Sequence, residues 1–192
     1  VTTGSSAGFN LAFLAMFDAG DRVAITTPGY PAYRNILAAL GLEVVEIRLE
    51  EEGYLTAALL EKAHREKPLK GVLFASPANP TGVVMAPEAI AAVAAECRKL
   101  GLWYISDEIY HGLTYDAPAT TALSADPDAI IVNSFSKYYC MTGWRVGYAC
   151  APRELMAPMF KIHQFTMLCA SMQGQVAADR ALGRAFETGF ED

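Results

Sequence analysis

LWYISDEIY, residues 102–110, decides the fold. Leu102 to Ser106 is rich in aromatic and branched residues, as strands are, and the run ends abruptly on Asp107, a carboxylate closing an apolar segment. The same layout recurs on either side. Gly71–Ala75 runs into Ser76–Gly82 (SPANPTG), and Ala129–Asn133 runs into Ser134–Lys137 (SFSK). Further strand-like runs are Arg22–Thr26, Glu43–Leu49 and Val146–Cys150. Ala- and Leu-rich segments with helical spacing lie between them: Ser6–Phe17, Tyr33–Leu40, Thr56–Glu66, Pro87–Leu100 and Glu154 onward, with Pro87 suited to a first turn.

Strand alternating with helix predicts an α/β domain built on a mostly parallel sheet of about seven strands, with helices on both faces. The last strand follows its predecessor through Phe135–Arg145 alone, too short for a helical crossover, and is expected to run antiparallel. Pro158 falls inside the late helical pattern, where it is expected to kink or restart the helix. Ligands of open α/β sheets bind beyond the carboxyl ends of the strands. Asn79, Asp107 with Tyr110, and Ser134 to Lys137 are therefore expected to converge on one crevice.

Composition excludes several function classes. With 192 residues, 53% of them hydrophobic, the chain is long enough to bury a sizeable core as one domain. Its 15 basic and 21 acidic residues give a formal charge of −6 with no long block of either sign, which argues against nucleic-acid and membrane-surface partners. The longest apolar stretches fall short of the roughly 18 to 20 residues that cross a bilayer, so a soluble chain is expected, and the scattered cysteines fit a reducing cytoplasm. Cys97, Cys140, Cys150 and Cys169 are widely spread, and His64, His111 and His163 lack HExxH spacing; neither a disulfide framework nor a metal site is indicated. Val1 stands directly before a glycine-serine loop, and 181–192 trails off in helical composition. The sequence thus reads as an internal piece of a longer protein.

Individual residues suggest the chemistry. Lys137 leaves an apolar strand, where desolvation lowers a lysine's pKa and leaves a neutral amine able to attack an aldehyde; a solvated surface lysine is the alternative. Asp107 at the end of a hydrophobic strand needs a cationic partner, such as a protonated pyridine nitrogen, or else serves as a helix cap. Asn79 lies in Ala78–Gly82 (ANPTG), which reads first as a turn; facing the crevice, its amide would donate to a phenolate-like oxygen, with Tyr110 as second donor. Gly4–Gly8 (GSSAG) precedes a helix and offers backbone N–H groups, two hydroxyls and a positive helix end to a phosphate, or is simply a glycine-rich cap. Arg145 would pair with the same anion, Ser134 and Ser136 would add donors, and Tyr30 is either a turn aromatic or, at a strand exit, a ring that stacks on a pyridine face. His111, Trp103, Trp144 and Met141 read as packing.

Taken in order, GSSAG, PGYP (28–31), NPTG (79–82), DEIY (107–110), SFSK (134–137) and GWRVGY (143–148) resemble the class I/II aminotransferases of the fold-type I pyridoxal phosphate family. The resemblance runs from Gly4 to about Ala151. It implies that Lys137 is the Schiff-base lysine, Asp107 the ring-nitrogen partner, and Tyr110 with Asn79 the donors to the ring hydroxyl oxygen. Ser5, Ser6, Ser134, Ser136 and Arg145 would hold the phosphate and Tyr30 would take the stacking position, where some relatives carry Trp. The resemblance further implies pyridoxal 5'-phosphate as cofactor, no metal, amino acid and 2-oxo acid substrates, ping-pong kinetics and a homodimer. This chain would then be the large domain, truncated at both ends. The substrate-carboxylate arginine and a partner-subunit tyrosine would lie outside it, and turnover by the piece alone is expected to be poor.

Three other readings stand beside this one. The same cradle supports a lyase that eliminates from the substrate's side chain. GSSAG also matches the GxSxG nucleophile elbow, with Ser6 as nucleophile, Asp107 as acid and His111 or His163 as base. A non-catalytic, effector-sensing domain would use the same pocket without turnover. Dinucleotide and nucleoside triphosphate binding lack their GxGxxG and GxxxxGK[ST] loops.

Overall fold

The computed structural model describes residues 1–188. In chain order these form α1 (Ser5–Met16), β1 (Arg22–Thr27), α2 (Pro31–Ala39), β2 (Glu43–Arg48), α3 (Ala57–Glu66), β3 (Gly71–Ala75), α4 (Pro87–Leu100), β4 (Trp103–Asp107), β5 (Ile130–Ser134), β6 (Gly147–Cys150), α5 (Arg153–Thr166) and α6 (Met172–Thr188). The strands make one sheet in the order β2-β1-β3-β4-β5-β6. All neighbours are parallel except β5 and β6, which pair antiparallel with Ser134 opposite Gly147.

Period-two alternation puts each strand into two cores at once, as a sheet covered on both faces requires. Ala24, Val72, Phe74, Tyr104 and Ile131 point toward α3 and α4, where they meet Leu60, Ile90, Val93 and Cys97. Val23, Ile25, Leu73, Ile105, Ile130 and Val132 point the other way, toward Phe9 and Phe13 of α1, Leu37 of α2 and Leu155 and Met159 of α5. A smaller cluster joins Met141 and Val146 to Ala178 of α6.

The helix ends follow their local chemistry. Pro31 and Pro87 occupy first-turn positions, Thr56 caps α3 by accepting from the Leu59 amide, and Gly101 ends α4 in the left-handed region at φ 66°.

Several expectations need correction. The sheet has six strands among the described residues rather than about seven; past β6 only a single antiparallel bridge, Thr2 to Gly147, extends it. The last strand starts at Gly147, because Arg145 is itself left-handed at φ 53° and follows a 3₁₀ turn over Thr142–Trp144. Helix α5 does not restart at Pro158 but continues through it, and the chain leaves helical geometry beyond Thr166, with Leu168 at φ 61°. Trp144 is half exposed rather than packed. Of the trailing segment, Ala181–Thr188 belongs to α6 and 189–192 lie outside the described residues. Among the described residues no helix is long and apolar enough to cross a membrane.

Candidate functional site

Three groups of side chains meet beyond the carboxyl ends of β1, β3, β4 and β5. The first is built on Asp107, the last residue of β4, which is 4% exposed. Its Oδ1 accepts from the Ile109 amide at 3.0 Å and its Oδ2 accepts from the hydroxyl of Tyr33 on α2. Burial pushes the Asp107 carboxyl up to about 6, against the lowering effect of those two hydrogen bonds. The same burial, with the carboxylate beside it, raises the Tyr33 phenol well above its usual value. No lysine, arginine or histidine among the described residues pairs with Asp107. Tyr30 caps α2 with its ring 41% exposed and set edge-on to Tyr33, centroids 5.5 Å apart.

The second group joins three loops. The Asn79 amide lies 3.5 Å from the Tyr110 hydroxyl, and Lys137 Nζ sits 5.5 Å from the centroid of the Tyr110 ring, within cation–π reach. Lys137 is exposed rather than buried.

The third group faces the start of α1, which has no side-chain cap and no acidic residue in its first turn. Its free N–H groups and positive helix end suit an anion. Gly4, at φ 79°, lies so close to the Arg145 guanidinium that a Cβ there would stand 2.2 Å from a terminal nitrogen. Gly147 lets β6 reach the same point: a Cβ on it would be 2.6 Å from the Gly4 carbonyl carbon and 2.8 Å from the Ser5 nitrogen. Ser134, paired with Gly147, accepts from the Ser136 amide at 3.1 Å, and both serines are buried. Ser5 opens the helix, and Ser6 is exposed at its second position.

The nucleophile-elbow reading fails on these contacts. Asp107 is held by Tyr33 and Ile109, while the His111 ring contacts the Ser76 carbonyl at 3.1 Å and Glu108 at 3.5 Å, so Ser6, Asp107 and His111 form no relay. His163 lies on α5, its Nε2 buried with no hydrogen-bond partner. No group of potential metal ligands occurs among the described residues. Tyr33 is the site residue that sequence reasoning missed. The available signal was its place one helical turn beyond Tyr30 together with the need of a buried carboxylate for donors.

The arrangement offers an anion seat at one end, a buried carboxylate without a cation at the other, and an amine with two polar donors between. A cation beside Asp107 would offset the cost of burying its charge. Keeping Asp107 ionised near neutral pH costs about 3 kcal/mol for a rise from 3.8 to about 6. A unit positive charge at about 4 Å returns about 4 kcal/mol at an effective dielectric of about 20.

Comparison with known proteins identifies a family. The family model described as "Aminotransferase class I and II" matches residues 1–189. The chain is 51% identical over 180 residues to a valine–pyruvate aminotransferase of Mycobacterium tuberculosis, covering 93% of this chain and 46% of that protein. It is 36% identical to a probable N-acetyl-LL-diaminopimelate aminotransferase of Bacillus subtilis, covering 97% of this chain and 48% of that one. Among solved structures, an aminotransferase from Mycobacterium tuberculosis superposes with a TM-score of 0.87 at 50% identity, over 92% of this chain and 49% of that chain. A single mutant of the Thermus thermophilus aspartate aminotransferase reaches 0.93 at 28% identity, over 99% of this chain and 50% of that one. The chain spans about half the length of the curated relatives it matches.

Proposed function

The chain belongs to the aminotransferase class I and II family, and from that premise we propose that it is the cofactor-binding large domain of an enzyme that transfers an amino group between an amino acid and a 2-oxo acid. The observation that carries the proposal is Asp107, a buried carboxylate with hydrogen-bond donors but no paired lysine, arginine or histidine among the described residues, three residues before the Tyr110 whose ring Lys137 Nζ approaches.

Pyridoxal 5'-phosphate fits the residues present. Gly4, Ser5 and the start of α1, with Ser134, Ser136 and Arg145, would take its phosphate; Asp107 its ring nitrogen; Asn79 and Tyr110 its ring oxygen; and Lys137 its aldehyde carbon. Tyr30 would lie against the ring, and Ser6 would add a hydroxyl at the phosphate end. The chemistry supplied by the bound group is that of an aldehyde and an electron-withdrawing ring. Asp107 keeps the ring nitrogen protonated, with Tyr33 and the Ile109 amide holding the carboxylate in line. Lys137 Nζ would serve as the base that takes the proton from the substrate's Cα and gives it back during transfer. Tyr110 and Asn79 orient the ring oxygen throughout.

The 51% identical relative is named for valine and pyruvate, which makes that pair the first to assay. Relatives named for aspartate and for N-acetyl-LL-diaminopimelate support the reaction class and leave the donor to experiment. The proposal includes a homodimer of the longer protein in the cytoplasm. Its test is borohydride reduction of the full-length protein loaded with pyridoxal phosphate, followed by peptide mapping. The pyridoxyl label is expected on Lys137 and absent from Lys137→Ala; a label elsewhere overturns the assignment. Initial rates with valine and pyruvate should give parallel lines in double-reciprocal plots, whereas intersecting lines count against a ping-pong order.

A further inference from the structure

We propose that His111, backed by the buried Glu108, is a positioning residue that aligns Asn79 with Tyr110 by tying the exits of β3 and β4 together. Asn79 and Tyr110 come from different loops and meet at 3.5 Å, the outer limit of a hydrogen bond, so their alignment depends on how the loops are held. The ring of His111 spans them. Its Nε2 is 3.1 Å from the Ser76 carbonyl oxygen, which can only accept, so the histidine donates. Its Nδ1 lies 3.5 Å from Glu108 Oε2, a contact made by the imidazolium form, where both nitrogens donate.

Both ends of this link are anchored. Glu108 is 4% exposed, and its Oε1 accepts from the Ala122 amide at 2.8 Å, the Thr121 hydroxyl at 3.0 Å and the Ser106 hydroxyl at 3.3 Å. Such a carboxylate cannot follow a moving loop without losing several bonds at once. Ser76 donates its amide to the Asp107 carbonyl at 3.2 Å, and its hydroxyl accepts from the Met85 amide at 2.9 Å. From Ser76 the chain enters the turn carrying Asn79, closed by Ala78 N–H to the Val83 carbonyl at 2.9 Å and Gly82 N–H to the Ala78 carbonyl at 2.7 Å. Beyond the histidine, Gly112 turns at φ 84°, and a Cβ there would stand 2.5 Å from the ring of Tyr138, the neighbour of Lys137. The imidazole therefore stands where the Asn79, Tyr110 and Lys137 loops converge, one residue from Tyr110, and acts through its neighbours.

The role rests on the function proposed above, and two measurements separate their failures. In the cofactor-free protein, His111→Phe is expected to speed amide exchange at Ala78 and Gly82 by about fivefold, with His111→Gln, which keeps a donor toward Ser76, close to wild type. In the holo protein, the pH midpoint of the bound cofactor's absorbance change is expected to move in His111→Phe and to be recovered in His111→Gln. Glu108→Gln, which keeps the Oε1 bonds, should move it in the same direction by less. A folded His111→Phe protein with wild-type exchange and an unmoved midpoint overturns the proposal. Should that variant not fold, an unmoved midpoint in Glu108→Gln does so. Loss of the Lys137 label in wild type would instead overturn the functional reading and leave the exchange result to judge the clasp.

Discussion

Asp107 ties the acid–base behaviour of the fold to its chemistry. Its carboxyl titrates near 6 in the folded chain against 3.8 for an ordinary aspartate, so between those values the native state holds a proton that the unfolded chain has released. Stability in the cofactor-free protein therefore falls as pH rises from about 4 through about 6 and is flat above, a change of about 3 kcal/mol. Asp107→Asn should remove this slope and leave the cofactor-free protein more stable than wild type at about pH 7.5, as urea melts at several pH values would show. Tyr33→Phe takes away a donor that lowers the carboxyl, so the same transition should move to higher pH, with about 1 to 3 kcal/mol of stability lost. The positions of Asp107, Asn79, Tyr110 and Lys137 beyond the carboxyl ends of strands were legible because each belongs to a short polar motif at a strand's end or within a few residues after it. Tyr33 was not: it reads as one more residue of an amphipathic helix until α2 is laid across the end of β4.

At the level of elements, strands and their polar exits could be read from apolar runs and the residues that stop them, and the antiparallel turn-back of β6 from loop length alone. The edge of the sheet could not, because one bridge at Thr2 is invisible to periodicity. At Pro158 the helix does not restart: the residue removes one backbone donor, but Leu155 and Met159 pack into the core on either side of it and the helix continues. Gly147 offers the sharpest test of how elements make the anion seat. Its missing Cβ lets β6 touch the first residues of α1, so Gly147→Ala should push the two apart. A cost of about 1 to 3 kcal/mol and a pyridoxal phosphate affinity lower by about tenfold or more are expected, read by thermal melts and fluorescence titration.

Across the whole molecule, buried and exposed apolar surface are unevenly shared. The sheet is sealed on both faces, whereas Phe160, Phe165, Leu168 and Met172, along α5 and at the start of α6, are each at least 65% exposed. This chain by itself is expected to bind a hydrophobic dye and to self-associate in light scattering, with Phe165→Ser and Leu168→Ser together reducing both. The hairpin between β5 and β6 has a different consequence. Because the chain doubles back there, the amine that would hold an aldehyde and the guanidinium that would hold a phosphate ride on one short segment whose two ends are locked in register. The spacing between Lys137 and Arg145 would then act as a ruler for the ligand's length: a one-residue deletion inside it should abolish binding, while the same deletion in the turn at 50–53 is expected to be absorbed.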